Sequence, residues 1–115
     1  MGLIYDSPSW GKVIGRIDSD GLVYDDVGMF AKVIGRVDGD GYVYDGIGFL
    51  GGQCVGRFKK DGSVYNGIGI FSECVGRVES DGLVYNGIGF FSMCVGRVEA
   101  PHIFGGGAAL LLLIR

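Results

Sequence analysis

Apolar and polar positions alternate in short bursts along the chain rather than at helical spacing. One burst ends in Gly-Arg and recurs as Val13-Ile-Gly-Arg16, Val33-Ile-Gly-Arg36, Cys54-Val-Gly-Arg57, Cys74-Val-Gly-Arg77 and Cys94-Val-Gly-Arg97. Its glycines Gly15, Gly35, Gly56, Gly76 and Gly96 stand 20, 21, 20 and 20 residues apart. A second burst, aliphatic-Tyr-Asx, recurs as Ile4-Tyr-Asp6, Val23-Tyr-Asp25, Val43-Tyr-Asp45, Val64-Tyr-Asn66 and Val84-Tyr-Asn86. Short period-two runs rich in Val, Ile and Tyr read as strands. Asp-Gly lies between the Arg of one burst and the Tyr of the next, at Asp20-Gly21, Asp40-Gly41, Asp61-Gly62 and Asp81-Gly82. That dipeptide between β-formers is a strong hairpin signal. The pattern therefore predicts successive β-hairpins with a period of about 20 residues.

Two registers are compatible with Asp-Gly. A two-residue type I′ turn sets Arg16 opposite Asp25 and Ile17 opposite Tyr24, and likewise pairs Arg36 with Asp45, Arg57 with Asn66, Arg77 with Asn86 and Arg97 with Asp6. A type I turn with a glycine bulge shifts the pairing by one and sets Arg opposite Tyr. The first is preferred, because it segregates polar from apolar side chains. The remaining connections, such as Gly46-Ile-Gly-Phe49, Gly67-Ile-Gly-Ile70 and Gly87-Ile-Gly-Phe90, read as extended links whose central apolar residue points into the core. In the first unit Ser7-Pro-Ser-Trp10 replaces them.

The chain opens on Gly2-Leu-Ile-Tyr5, which matches Gly21-Leu-Val-Tyr24, and its last repeat stops at Val98-Glu-Ala100 without an Asp-Gly. The two ends are thus the halves of a fifth hairpin. A linear array gains nothing from that cut, whereas a closed ring gains its last strand pair and loses two exposed edges. The expected fold is all-β: five pseudosymmetric hairpins over residues 1–100, closed into a flower- or propeller-like ring by the N-terminal strand, with a tail over 101–115.

A repeated Val-Gly-Arg-Val-X-X-Asp-Gly-X-Val-Tyr-Asp-Gly with a Gly-X-Gly-Phe link resembles the small bacterial β-flower repeat proteins in their five-fold form. The resemblance covers residues 2–100. It implies a ring of hairpins and adds no catalytic residue. MORN repeats, also hairpins rich in Gly and Tyr, match less well, since they run Tyr-X-Gly and build open solenoids.

Residues 101–115 leave the repeat: Pro101-His-Ile-Phe104, then Gly105-Gly-Gly107, then an apolar run that ends Leu110, Leu111, Leu112, Leu113, Ile114 and Arg115. The run is far shorter than the roughly 20 residues needed to span a bilayer. It has no polar face, so it must be covered in water. It either plugs the ring as a short helix or strand, turned back sharply by the glycines, or joins copies of the chain. Leu110–Ile114 are accordingly candidate oligomerisation residues.

Composition sharpens this picture. Glycine is 24 of 115 residues, which argues against a helical bundle, since an interior glycine costs a helix roughly 1 kcal/mol. The net charge of −3 lacks the basic excess of a nucleic-acid binder. The N-terminus has no basic stretch followed by an apolar core, so a cytoplasmic protein without a signal peptide is expected. Three cysteines fit a reducing compartment better than a disulfide framework.

The chemistry candidates are few. Cys54, Cys74 and Cys94 hold positions filled elsewhere by Val13 and Val33, which favours small apolar packing over a metal site. Asp18-Ser-Asp-Gly21 and Asp38-Gly-Asp-Gly41 have a calcium-loop flavour, but turn chemistry accounts for them, and Lys59-Lys-Asp-Gly62 breaks the series. His102 is the sole histidine and is expected in a surface linker, so no catalytic constellation follows. Arg16, Arg36, Arg57, Arg77 and Arg97 with Tyr5, Tyr24, Tyr44, Tyr65 and Tyr85 form either a structural ladder or a ring for glycans or small anions. The leading expectation is a non-enzymatic structural or protein-interaction module without cofactor, partnered by itself or by another protein, with no nucleic acid and no membrane span.

Overall fold

The computed structural model describes residues 2–7, 11–26, 28, 30–46, 52–67, 69, 72–87 and 92–114. Ten strands are formed: β1 (Gly2–Tyr5), β2 (Val13–Ile17), β3 (Leu22–Tyr24), β4 (Val33–Val37), β5 (Tyr42–Asp45), β6 (Gln53–Phe58), β7 (Ser63–Asn66), β8 (Glu73–Val78), β9 (Leu83–Asn86) and β10 (Met93–Val98). A helix, α1 (Ile103–Ala109), continues into a π-helical segment over Leu110–Ile114. Each strand pairs antiparallel with its sequence neighbours and β1 pairs with β10, so the sheet is a closed barrel without edges. The closing pair sets Ile4 opposite Val98 and Tyr5 opposite Arg97. The expected inward placement of Ile47, Ile68 and Ile88 lies outside the described residues.

The hairpin register corrects the preferred reading of the sequence. Arg16 lies opposite Tyr24 and Ile17 opposite Val23, and β4–β5, β6–β7 and β8–β9 repeat this pairing. The cause is the turn. The Gly21 N–H donates to Asp18 O at 2.9 Å and the Asp18 N–H donates to Leu22 O at 3.0 Å, which is a type I turn followed by a glycine bulge. Asp20 Oδ1 accepts the Leu22 N–H at 3.1 Å, and Asp61 and Asp81 cap their turns in the same way. The glycine is obligatory here. Gly62 has φ +92°, and a Cβ on it would stand 2.1 Å from Val78 O.

This register sorts the side chains. Inward-facing Ile4, Val23, Val43, Val64 and Val84 are fully buried. On one side of them lies a ring of Ile17, Val37, Phe58, Val78 and Val98, and on the other a ring of Gly15, Gly35, Gly56, Gly76 and Gly96. A bulge opposite each glycine leaves one residue out of the pairing, as where Ile4 faces Gly15 and Tyr5 faces Val13, skipping Ile14. Ile14, Ile34, Val55, Val75 and Val95 pack instead against the core.

Barrel diameter grows with strand number, and about eight strands already fill their interior with their own side chains. Ten strands with a glycine ring leave a bore, and the tail fills it. A Cβ on Gly96, Gly76, Gly56, Gly35 or Gly15 would meet, in that order, Leu110 Cδ2 at 2.6 Å, Leu111 Cδ1 at 2.9 Å, Leu112 Cδ1 at 2.7 Å, Leu113 Cδ1 at 2.7 Å and Ile114 Cδ1 at 3.0 Å. Five consecutive tail residues therefore address five successive glycines around the barrel. These glycines are two strands apart in ten, about 72° of rotation. An α-helix turns about 100° per residue and would drift out of step at once. A π-helix, at roughly 4.4 residues per turn, advances about 82° and stays close.

The expected sharp turn at Gly105–Gly107 is not formed, because these residues lie inside α1. Glycine is a poor helix former, but here the surrounding strands overrule propensity. A Cβ on Gly107 would stand 2.2 Å from Val78 Cγ2, and one on Gly106 2.6 Å from Val98 Cγ1. Small helix residues thus meet the ring of large strand residues, and large helix residues meet the ring of glycines.

Candidate functional site

With glycine and valine turned inward, the Arg and Tyr of each hairpin share the outer face. The guanidinium carbon of Arg16 lies 3.9 Å from the Tyr24 ring centre, that of Arg36 3.9 Å from Tyr44, and that of Arg77 4.1 Å from Tyr85. Arg57 stands further off, 5.2 Å from Tyr65. Arg97 faces Tyr5 across the closing pair. The sequence-derived set of ten is thereby brought together as five cross-strand couples. The stacked guanidinium occupies the ring face that a sugar would need.

The phenol ends are held as well. The Tyr5 hydroxyl donates to Glu99 Oε2 and the Tyr44 hydroxyl to Asp38 Oδ2, each at 3.2 Å. Partial burial, followed by the adjacent carboxylate, raises the pKa of Tyr5 and of Tyr44 above the usual phenol value. Tyr85 is raised by burial and by Glu79. Asp61 is held below the usual carboxylate range, chiefly by the Ser63 backbone N–H and then by its hydroxyl.

One unit departs from the rest. Where Asp18, Asp38, Glu79 and Glu99 follow the strand, the third hairpin has Lys59. Its ammonium lies 4.8 Å from the Tyr65 ring centre, so two cations stand near one aromatic ring. The Nε of Arg57 is buried and has no hydrogen-bond partner among the described residues.

The cysteines lie on the outer face, half-buried, with Cys54 opposite Tyr44, Cys74 opposite Tyr65 and Cys94 opposite Tyr85. Each thiol donates to a glycine carbonyl two residues on, Gly56, Gly76 or Gly96. Among the described residues no group of three or more His, Cys, Asp or Glu is gathered that could hold a metal ion. The carboxylates with a calcium-loop flavour serve the turns: Asp38 Oδ1 accepts the N–H groups of Asp40 and Tyr42, each at 3.0 Å. The tail leucines are spent on their own barrel, with Leu110 fully buried and Leu111–Ile114 half-buried.

A cavity of about 830 Å³ opens at the barrel end that carries the Asp-Gly turns. Ile17, Val37, Phe58, Ile103 and Phe104 give it an apolar floor, and Asp20, Arg36, Asp38 and His102 a polar rim. Sequence reasoning missed this site. His102 was expected in a surface linker, but it is half-buried and lines the cavity. The available signal was Phe58, an aromatic at a position otherwise held by Ile or Val.

Comparison of the chain with protein-family models, with curated proteins and with solved structures finds no match in any of the three. Among the described residues no helix is long and apolar enough to cross a membrane.

Proposed function

We propose that the protein is a non-enzymatic structural or protein-interaction module of the β-flower type, built from five pseudosymmetric hairpins and working in the cytoplasm. One observation carries this reading: the residue-by-residue fit of Leu110–Ile114 to the glycine ring. Closed barrels place ligands or chemistry in their bore, and this bore is occupied by the chain itself. The outer Arg–Tyr couples then serve as a structural belt, and function falls to the exposed ends. Partner contact is assigned to the link end, where Phe30 is 89 % exposed and Met93 70 % exposed. The partner is a second copy of the chain or another protein.

Light scattering tests the self-associating form. A mass above 12.2 kDa for the full chain, reduced to the monomer by Phe30→Ser with Met93→Ser, supports it. A 12.2 kDa species at every concentration contradicts it.

A further inference from the structure

The cavity at the turn end is where the chain breaks its own pattern. The ring position that carries Ile17, Val37, Val78 and Val98 carries Phe58 in the third hairpin, half-buried against the cavity. Phe104 and His102 reach the same space from the tail, which has no counterpart in the repeats. Departures from a rule kept elsewhere along a chain gather at functional positions. The volume, about 830 Å³, falls within the roughly 300–1,000 Å³ typical of small-molecule sites.

The rim narrows the ligand chemistry. Asp38 is engaged at both oxygens, by two backbone N–H groups and the Tyr44 hydroxyl. Asp20 caps its turn, and the Arg36 guanidinium lies over the Tyr44 ring. The imidazole of His102 has no hydrogen-bond partner among the described residues. A neutral imidazole offers one donor and one acceptor, the complement of a hydroxyl group, which also does both. Arg36 is balanced by Asp20 and Asp38, and the chain as a whole carries −3, so neither an acid nor an amine is favoured. We propose that this cavity binds a small, planar, uncharged aromatic molecule bearing a hydroxyl, its ring system against Phe58 and Phe104 and its hydroxyl on His102.

The test is titration of 2-naphthol into the full chain, followed by the ligand's fluorescence and by the NMR signal of the His102 imidazole. This is the chain's only histidine, so its resonance is unambiguous. Saturable binding that moves the His102 signal is expected. Phe58→Val, which installs the side chain that three of the other units carry, should weaken binding by about tenfold or more. Lys12→Ala, at an exposed position at the opposite end of the barrel, should leave it unchanged. The carboxylate 2-naphthoate and the ammonium form of 2-naphthylmethylamine, both charged at neutral pH, should each bind about tenfold more weakly than the naphthol. A His102 signal that stays in place up to the solubility limit overturns the proposal. So does a folded Phe58→Val chain that binds as well as its parent, or a charged analogue that binds as tightly as 2-naphthol. If Phe58→Val does not fold, the His102 signal of the unaltered chain decides alone.

Discussion

Leu110→Ala is the most informative single substitution. The leucine is fully buried, and its Cδ2 lies where a Cβ on Gly96 would be, 2.6 Å from it. Truncation removes three carbon groups, about 2.4 kcal/mol of transfer free energy at roughly 0.8 kcal/mol each. A cavity term is added, because the opposite wall is strand backbone: the Cβ position on Gly96 also faces Tyr5 O at 2.4 Å, and a paired backbone cannot collapse into the gap. The total is about 3–4 kcal/mol, a large part of the roughly 5–15 kcal/mol that stabilises a domain. At this chain length that is a fall in Tm of about 12–16 °C. Urea unfolding followed by circular dichroism reads the loss, with Lys12→Ala at an exposed position as the control. The midpoint must also be independent of protein concentration, since a leucine seated in a second copy would make stability depend on mass action. A loss below about 1 kcal/mol, or a midpoint that rises with concentration, refutes the reasoning.

Four further outcomes are expected. Gly62→Ala forces a side chain into φ +92° and against Val78 O, and should cost roughly 1–3 kcal/mol in a thermal melt; an unchanged melt contradicts the bulged turn. Arg36→Ala should lower stability by about 0.5–1 kcal/mol through loss of its stack on Tyr44, and glycan or anion titrations by calorimetry should give the same null result as the parent; a ligand lost with Arg36 would make the belt a binding ring instead. The raised phenol pKa values of Tyr5, Tyr44 and Tyr85 mean that the fold favours the protonated phenols. Their contribution is intact below the ordinary value of 10.0 and is lost as pH rises through the folded-state values, so chemical-denaturation midpoints should fall on the alkaline side and fall less in Tyr44→Phe. A chain stopped at residue 102 leaves the glycine ring bare and should unfold or aggregate in light scattering, whereas a folded, soluble product contradicts the plug.

Much of the architecture is legible in the chain. Asp-Gly between Val and Tyr marks each hairpin, and the split unit at the two ends marks where β1 meets β10. The register was not legible, because Asp-Gly serves both a two-residue turn and a type I turn with a glycine bulge. Segregating Arg-Asx from Tyr favoured the former. Stacking of Arg36 on Tyr44 shows how the latter accommodates the pair: the phenol ring takes the guanidinium on its face and donates its hydroxyl to Asp38. The tail was legible only as an apolar run that needs cover. Gly105–Gly107 read as a turn, because helix propensity ignores the valines that require glycine there. The match of five glycines to five consecutive apolar residues was present in the numbering, but it acquires meaning only once the strands form a barrel of that bore. Phe58 and His102 are separated by 44 positions in the chain, and only closure of the barrel brings them to one cavity.

The most direct measurement is the nuclear Overhauser contact between the Leu112 methyls and the Gly56 α-protons, recorded on uniformly labelled chain and again, with isotope filtering, on a mixture of labelled and unlabelled chains. Strong contacts in the first sample and none between chains in the second are expected if each tail fills its own barrel. Contacts that appear only between labelled and unlabelled molecules, or no contact at all, would contradict it.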